Sequence, residues 1–384
     1  RLLKSIYGMK QAAHLFWKCV SQDLRNLGFK QSKSSKCLFT KHCDGNLALL
    51  VLHVDDGAYA TRHKSLISKD LALLQRKYKL SHEPLNWYVG LRIVREDGFV
   101  GVYCDAYIEQ CAIRFGLTEI KPASVPAVMA PEEWEGESSC RKEYMELVGC
   151  LIYIANSCRP DVCTMISMLA SHMANPSPDH LSAARRVLVY LYHSRTKGLE
   201  FKRQGVKGMT DKAKIKNMRL SAYFDSDFAG CKKDRKSRSG IMILYNNCLV
   251  YWSSKKQGLR AQSVFEAETI AGNLTYRQVL FLRKILNDFV GTNHKFMRIQ
   301  MFGDNEKSIE CAMKDSYGKR SKHFDVKYFF LADGCQDGTI ELFHVLSENN
   351  PADLLTKIVT KDLFFKHIQR YVKVAHKAQL VKMW

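Results

Sequence analysis

The chain has 384 residues, of which 46% are hydrophobic and 25% are charged, and its formal net charge is +21. This length predicts two or three domains with substantial cores. The absence of any run of about 20 uncharged apolar residues excludes a membrane span. Because Lys and Arg are spread along the whole chain, the excess positive charge favours broad surfaces that bind nucleic acid.

The thirteen cysteines form no Cys-x-x-Cys pair. The closest spacings, Cys37 to Cys43 and Cys158 to Cys163, have no matching second half, so we expect no structural zinc. Most cysteines lie in apolar stretches, which is typical of free thiols in a reducing compartment. The first residues, Arg1-Leu2-Leu3-Lys4, contain neither an initiator Met nor a signal-peptide core, and we expect the interior of a longer polyprotein.

Helix and hairpin signals fill the first third of the chain. Apolar spacing from Ala12 to Leu24 predicts a helix that ends near Gly28. The elements predicted after it are strands at 37–40 and 47–54 around an Asp44-Gly45 turn, a helix at 65–78, and a hairpin of strands 88–94 and 100–104.

Two adjacent carboxylates, Asp55 and Asp56, follow the apolar strand 47–54 and precede Gly57. Buried charge is costly, so such a pair calls for a compensating cation. We interpret this segment as a hairpin tip that holds divalent metal, with residues 58–61 as the return strand. A plain Asp-Gly turn without metal is the alternative.

An acidic loop at 130–137 predicts a boundary, and the middle of the chain beyond it is helical. We expect helices at 142–157, 161–174 and 179–194, followed by a basic linker at 202–219.

The last third changes to strands followed by alternating helices and strands. The predicted elements are strands at 220–224, 240–245 and 248–252, a helix at 264–289, a strand ending at 303, a helix, a helix at 323–333, a strand at 339–346 and a final helical region. This order implies a mixed sheet with helices packed on it.

Four carboxylates of this last third occupy strand ends or helices: Asp225, Glu268, Asp304 and Asp353. Such groups converge at one edge of a mixed sheet, and they cannot all ionise close together without cations. A pair of Mg²⁺ ions, about 3.5–4 Å apart, answers that repulsion and can activate water against a phosphodiester.

Two neighbouring carboxylates, Asp227 and Glu266, are alternative ligands. We rank them lower, because Asp225 directly follows the predicted strand and Glu268 has the better register with the apolar face of its helix.

These residues lie in a series of motifs that occur in order along the chain: 7–12 (Tyr-Gly-Met-Lys-Gln-Ala), 53–56 (His-Val-Asp-Asp), 225–230 (Asp-Ser-Asp-Phe-Ala-Gly), 252–257 (Trp-Ser-Ser-Lys-Lys-Gln), 266–268 (Glu-Ala-Glu), 304–305 (Asp-Asn) and 352–357 (Ala-Asp-Leu-Leu-Thr-Lys). Over almost its full length the chain resembles the reverse transcriptase–RNase H segment of Pol polyproteins from copia-type LTR retrotransposons.

The resemblance implies an α+β and α/β multidomain fold, in which a partial reverse-transcriptase palm and thumb precede an RNase H-like mixed-sheet domain. We predict partial reverse transcriptase at 1–125, a helical thumb or connection with a basic linker at 126–218, and the RNase H-like domain at 219–384. The family's upstream strand, which carries a third polymerase aspartate, is expected to be missing together with the fingers.

The resemblance also assigns roles to the carboxylates. It makes Asp55 and Asp56 polymerase metal ligands, and Asp225, Glu268, Asp304 and Asp353 the RNase H ligands for two Mg²⁺, for which Mn²⁺ can substitute. Five further residues are candidates for contacting nucleic acid: Tyr7, Lys10, Trp17, Lys255 and Lys256. Buried aromatic rings and solvated lysines are the competing interpretation.

The resulting functional hypothesis is two-metal hydrolysis of RNA in RNA/DNA hybrids, with RNA-directed DNA polymerase activity in the intact parent protein. The partners implied are RNA/DNA hybrid, template–primer nucleic acid and other Pol and Gag products of the element, without a membrane partner. The implied location is intracellular, in a cytoplasmic virus-like particle, the nucleus or both. A catalytically inactive, nucleic-acid-binding remnant of a retrotransposon is the alternative.

Overall fold

The computed structural model describes residues 8–129, 132–202, 219–290, 298–314 and 329–374, which form two compact units. Of these residues, the first unit contains 8–89 and 280–290, and the second contains the remainder. Within the described ranges, every helix is too short or too polar to cross a lipid bilayer. The domain boundaries predicted above stay a prediction.

The first unit contains a four-stranded antiparallel sheet with strand order β1-β2-β3-β4. Its elements, in chain order, are α1 (Ala12–Asn26), β1 (Lys30–Gln31), β2 (Leu38–Cys43), β3 (Asn46–His53), β4 (Asp56–Thr61), α2 (Lys64–Gln75) and β5 (Trp87–Tyr88). Val20 and Leu24, one turn apart on α1, pack with Phe39 and Leu50 of the sheet to form the core.

Local sequence signals determine the turns of this unit. Gly28 has a φ of +89°, the left-handed conformation that ends a helix, so the predicted end of α1 is confirmed. Asp44 and Gly45 both have positive φ, as a two-residue hairpin turn of the primed type requires. The hairpin of β2 and β3 therefore forms where it was predicted.

The first half of the second unit is built from a hairpin, four helices and one further strand. These elements are β6 (Leu91–Glu96), β7 (Phe99–Tyr103), α3 (Asp105–Arg114), α4 (Arg141–Ser157), the 3₁₀ turn Pro160–Val162, α5 (Cys163–Ala170), α6 (Pro178–His193) and β8 (Lys197–Lys202). Ser177 begins α6 with a capping box to His180, and Pro178 occupies the first helical position.

The second half contains a five-stranded mixed sheet with strand order β11-β10-β9-β12-β13. Its elements are β9 (Leu220–Asp227), β10 (Arg238–Tyr245), β11 (Cys248–Lys256), α7 (Val264–Val290), β12 (Ile299–Gly303), α8 (Glu306–Lys314), α9 (Phe330–Gln336), β13 (Ile340–His344), the 3₁₀ turns Ser347–Asn349 and Pro351–Leu355, α10 (Lys361–Ile368) and β14 (Val372–Val374). Residues 280–290 of α7 belong to the first unit. Strands β9, β10 and β11 pair antiparallel, whereas β12 pairs parallel with β9 and β13. This topology confirms the predicted mixed-sheet fold class.

One hydrophobic core joins the two halves of the second unit. Leu151 and Leu188 of the helices pack in the same cluster as Met242 and Leu249 of the sheet and Leu355 beyond it. The indole Nε1 of Trp252 also donates a hydrogen bond of 2.8 Å to the carbonyl of Ala155. The helices therefore pack against the mixed sheet and share its hydrophobic core.

Some elements differ from the sequence prediction. Strand β9 continues through Asp225 to Asp227, so Asp225 lies within the strand and not at its end. The structure adds a helix, α3, after the second hairpin, and it pairs β8 with β14 at the end of the described chain. The predicted linker at 202–219 and most of the predicted helix at 323–333 lie outside the described residues.

Candidate active site

Three carboxylates meet at one edge of the mixed sheet. Asp225 comes from β9, Glu268 from the first part of α7, and Asp304 from the residue after β12. One oxygen from each lies within 4.8 Å of the others, and this is the one such acidic group among the described residues. The structure therefore brings together three of the four RNase H carboxylates that the sequence predicted.

Two of the three side chains are buried, and Asp304 is partly exposed. Asp225 is 3% exposed and Glu268 is 2% exposed. Burial, with the charges of Asp353 and Asp304, raises the pKa of Asp225 to about 8. Burial, with the charge of Asp225, raises the pKa of Glu268 well above its usual range, although hydrogen bonds from Ser226 act in the opposite direction. Both carboxylates are therefore harder to ionise than a solvated carboxylate.

Each carboxylate is oriented by a hydroxyl group. Ser226 donates to Glu268 Oε1 from its backbone N–H (3.0 Å) and from Oγ (2.7 Å). Thr356 Oγ1 donates to Asp225 Oδ2, and Ser347 Oγ donates to Asp304 Oδ2 at 2.6 Å. These bonds fix the direction of the carboxylate oxygens before any ligand arrives.

Asp353 approaches the site on the 3₁₀ turn Pro351–Leu355, and it is buried. The turn is anchored by Asn350, whose Nδ2 donates to the carbonyl of Phe224 (2.9 Å) and whose Oδ1 accepts from the Ala352 N–H (3.1 Å). The charge of Asp353 acts directly on Asp225, but its oxygens lie outside the group of three.

Lys357, the residue after Thr356, contacts this fourth carboxylate. Its Nζ lies 3.0 Å from Asp353 Oδ1. Burial lowers the pKa of Lys357, but the hydrogen bond and charge of Asp353 outweigh this effect and raise it. Ser226 lies in the motif 225–230, and Thr356 and Lys357 lie in the motif 352–357, but the motifs alone gave these residues no role. Ser226 and Thr356 act on carboxylates that are distant in the sequence.

The predicted polymerase carboxylates have a different environment. Asp55 lies in the two-residue turn between β3 and β4, and Asp56 begins β4, paired with His53. The turn residues are therefore Val54 and Asp55, not Asp56 and Gly57, and Val54 has a positive φ of 57°. Both carboxylates are exposed to solvent, and within the described part of the chain no third acidic side chain joins them.

The candidate nucleic-acid contacts fall into two groups. In the first unit Lys10 is exposed, and Trp17 donates from Nε1 to the carbonyl of Lys36 at 3.3 Å. Tyr7 lies outside the described residues. In the second unit Lys255 is exposed, whereas Lys256 is ion-paired with Asp234 at 2.9 Å.

Strand register places the two lysines of β11 near the carboxylates. Asp225 is paired with Gly240, and Gly240 is paired with Ser254. Lys255 and Lys256 directly follow Ser254, so they lie at the same end of the sheet as Asp225.

The sequence matches the family model for reverse transcriptase (RNA-dependent DNA polymerase) over residues 1–129. The retrovirus-related Pol polyprotein from transposon TNT 1-94 of Nicotiana tabacum is 28% identical over 377 residues, which cover 95% of this chain and 27% of that protein. The retrovirus-related Pol polyprotein from transposon RE1 of Arabidopsis thaliana is 28% identical over 370 residues, covering 95% of this chain and 24% of that protein. The chain thus spans about a quarter of the length of these curated relatives.

Among solved structures, RNase H1 from the halophilic archaeon Halobacterium salinarum NRC-1 aligns with 36% of this chain and 94% of its own. Its TM-score is 0.26 and its sequence identity is 16%.

Proposed function

Since this chain belongs to the family of Pol polyproteins from copia-type retrotransposons, as a reverse transcriptase–RNase H segment, we propose that its second unit cuts the RNA strand of RNA/DNA hybrids. The observation that carries the proposal is the group of Asp225, Glu268 and Asp304, of which Asp225 and Glu268 are buried. A purely structural role would not explain this group, because three adjacent carboxylates repel one another and destabilise a fold unless a cation binds between them.

The donor set fits a hard divalent cation such as Mg²⁺ or Mn²⁺. All three ligands are carboxylates, the donors that these ions prefer. In addition, Glu268 Oε2 is buried and has no hydrogen-bond partner among the described residues. We assign Asp225, Glu268 and Asp304 to the metal site, with Asp353 adjacent to Asp225. When bound, the ions would supply activation of water and stabilisation of the leaving oxygen of the phosphodiester.

The residues of the chain would perform three further tasks. Ser226, Thr356 and Ser347 hold the carboxylate oxygens in place, so that little reorganisation is needed on binding. Lys255, at the same end of the sheet, would contact the phosphate backbone of the hybrid. Burial of the carboxylates limits the access of bulk water to the reacting phosphate, and the RNA product would end in a 3′-hydroxyl.

For the longer parent protein we propose RNA-directed DNA polymerase activity on template–primer nucleic acid. The match over residues 1–129 supports this proposal, as does the position of Asp55 and Asp56 on a hairpin turn. Other Pol and Gag products of the element are the proposed protein partners. The predicted intracellular location stays a prediction.

The test is cleavage of a labelled RNA/DNA hybrid with Mg²⁺ or Mn²⁺. We expect the wild-type chain to cut the RNA strand, and Asp304→Asn and Glu268→Gln to lose more than about 100-fold in rate, since each removes a metal ligand. Glu266→Gln is the matched control, because Glu266 is a partly exposed carboxylate on the same helix that lies outside the group of three. It should retain cleavage.

The alternative, an inactive nucleic-acid-binding remnant, predicts a different result. The wild-type chain and Asp304→Asn would then bind the hybrid equally, with the salt sensitivity of phosphate contacts, and neither would cut it. That outcome would overturn the nuclease proposal.

A further inference from the structure

The ammonium group of Lys357 is a cation already present beside the carboxylates. Its Nζ lies 3.0 Å from Asp353 Oδ1, and the two side chains are 48% and 4% exposed, respectively. One end of the pair is therefore buried, while the lysine reaches it from the solvent side. Because Lys357 lies four residues after Asp353, the 3₁₀ turn and the residues after it bring both groups to the same place.

The charge of Lys357 extends beyond its direct partner. It lowers the pKa values of Asp225 and Asp227, opposing the increase that burial causes in both. The charge of Asp304 also acts on Lys357 and raises the pKa of the lysine. Lys357 thus offsets part of the negative charge of the site, and its direct contact is with Asp353.

Asp225 lies between two different cation positions. On one side it belongs to the group with Glu268 and Asp304, in which Glu268 Oε2 has no partner among the described residues. On the other side it interacts with Asp353, where Lys357 provides the positive charge. In the described part of the chain, Lys357 is ion-paired at the second position, whereas Glu268 Oε2 at the first has no partner.

Building on the proposed nuclease function, we propose that Lys357 occupies the position of a second divalent cation at Asp353, and that this cation binds only by displacing the lysine. Lys357 is then the positioning residue that makes the second metal bind more weakly than the first. The nuclease would hold one metal at low metal concentration and become fully loaded only at higher concentration.

The geometry permits such an exchange. Lys has a flexible four-carbon stem and a strongly hydrated charge, so a half-exposed ammonium can move out into water at little cost. Asp353 is buried and would be strongly destabilised without a partner, so the lysine leaves only when another cation replaces it. The pairing and the metal therefore exclude each other at the same carboxylate.

The experiment measures Mn²⁺ binding to the full-length chain by calorimetry and by electron paramagnetic resonance, without substrate. We expect two classes of site in the wild-type chain. Lys357→Met should tighten the second class by about tenfold and leave the first within about threefold, because removing the competing ammonium favours the second ion by about 1.4 kcal/mol, the free energy of a tenfold change. Lys357→Arg keeps the charge beside Asp353 and should bind the second ion as weakly as the wild type.

Lys361→Met is the matched control, since Lys361 is an exposed lysine that begins α10. It changes the net charge equally and should leave both classes as in the wild type. Thermal unfolding of each variant without metal checks that the fold is retained, and Lys357→Gln replaces Lys357→Met if the latter unfolds.

Three results would overturn the inference. The first is an unchanged affinity of the second class of site in Lys357→Met. The second is an equal tightening of both classes, which would be a general charge effect. The third is loss of the second class, which would mean that Lys357 holds Asp353 in place. If the wild-type chain shows two classes of site, any of these results in Lys357→Met leaves the nuclease proposal intact. If the wild-type chain binds no Mn²⁺, or if Asp304→Asn binds it as well as the wild type does, the metal site itself is wrong. Both proposals then fail.

Discussion

Gly240 of β10 lies directly against the carbonyl oxygen of Ala352, the residue before Asp353. A Cβ atom at Gly240 would stand 2.6 Å from that oxygen and 3.0 Å from the Cβ of Leu355. Real Cβ atoms do not approach so closely, so only glycine lets the 3₁₀ turn rest on the sheet. Because Gly240 is also the strand partner of Asp225, this contact determines how near Asp353 comes to Asp225.

We predict that Gly240→Ala displaces the turn that carries Asp353. The clash is with backbone, which cannot rotate away, so the free energy of unfolding should fall by about 1–3 kcal/mol, as in overpacked cores. Hybrid cleavage should fall with it. Urea unfolding and the cleavage assay measure the two effects. Gly258→Ala is the control, because nothing lies within 4 Å of a Cβ there, and equal stability of the two variants would contradict the prediction.

The stability of the metal-free protein should fall as pH rises. Burial and the charges of Asp353 and Asp304 raise the pKa of Asp225 to about 8, whereas the unfolded chain has an ordinary aspartate. Between these pKa values the folded protein holds a proton that the unfolded chain has released. The unfolded state therefore binds fewer protons, and the free energy of unfolding decreases with pH, on the order of a few kcal/mol across the window.

Urea unfolding in the presence of a chelator, at about pH 5 and about pH 8, measures this decrease. Asp225→Asn should reduce the pH dependence, although the raised pKa of Glu268 retains part of it. Added Mg²⁺ should remove it in the wild-type chain, because a bound cation favours the ionised carboxylates. A wild-type stability that increases over this range would show that the carboxylates are not buried as the structure has them.

Residues 219–384 should not fold stably when separated from the helices that precede them. Met242, Leu249 and Leu355 are buried in the same cluster as Leu151 and Leu188. Exposing each such side chain costs about 1.5–3 kcal/mol, and several of them together approach the total stability of a typical domain, about 5–15 kcal/mol. We expect the separated segment to unfold without cooperativity and to bind a hydrophobic dye.

The control for that experiment is the chain from residue 90 onward, which retains every residue of the cluster. It should unfold cooperatively. Cooperative unfolding of 219–384 alone would instead show that the boundary predicted at 218/219 separates independent domains.

Sequence patterns sufficed where the determinants are local. The Asp44-Gly45 turn, the helix that ends at Gly28 and the long helix carrying Glu268 all contain their own signals in neighbouring residues. The convergence of Asp225 and Asp304 was also predictable, because both lie near the carboxyl ends of strands in one sheet, and Glu268 follows from the register of its helix.

Non-local contacts were not predictable in this way. Strand β8 pairs with β14, although about 170 residues separate the two strands. Strand β14 has only three residues, which is too short for an alternating pattern to be recognised. For the same reason, the hydrogen bond from Thr356 to Asp225 and the close approach of the Ala352 carbonyl to Gly240 could not be predicted from the sequence. Each depends on the 3₁₀ turn being folded back onto the sheet, which no local signal encodes.

The carboxylates of the β3–β4 turn should not support polymerisation by this chain alone. Asp55 and Asp56 are exposed, and no third acidic side chain among the described residues completes a metal site with them. Two solvated carboxylates on a hairpin bind divalent ions weakly, since water competes and no burial strengthens the interaction. We therefore expect negligible primer extension on a template–primer, and unchanged hybrid cleavage in Asp55→Asn. Nucleotide incorporation that depends on Asp55 would contradict this prediction, because it would require a further ligand close to the turn.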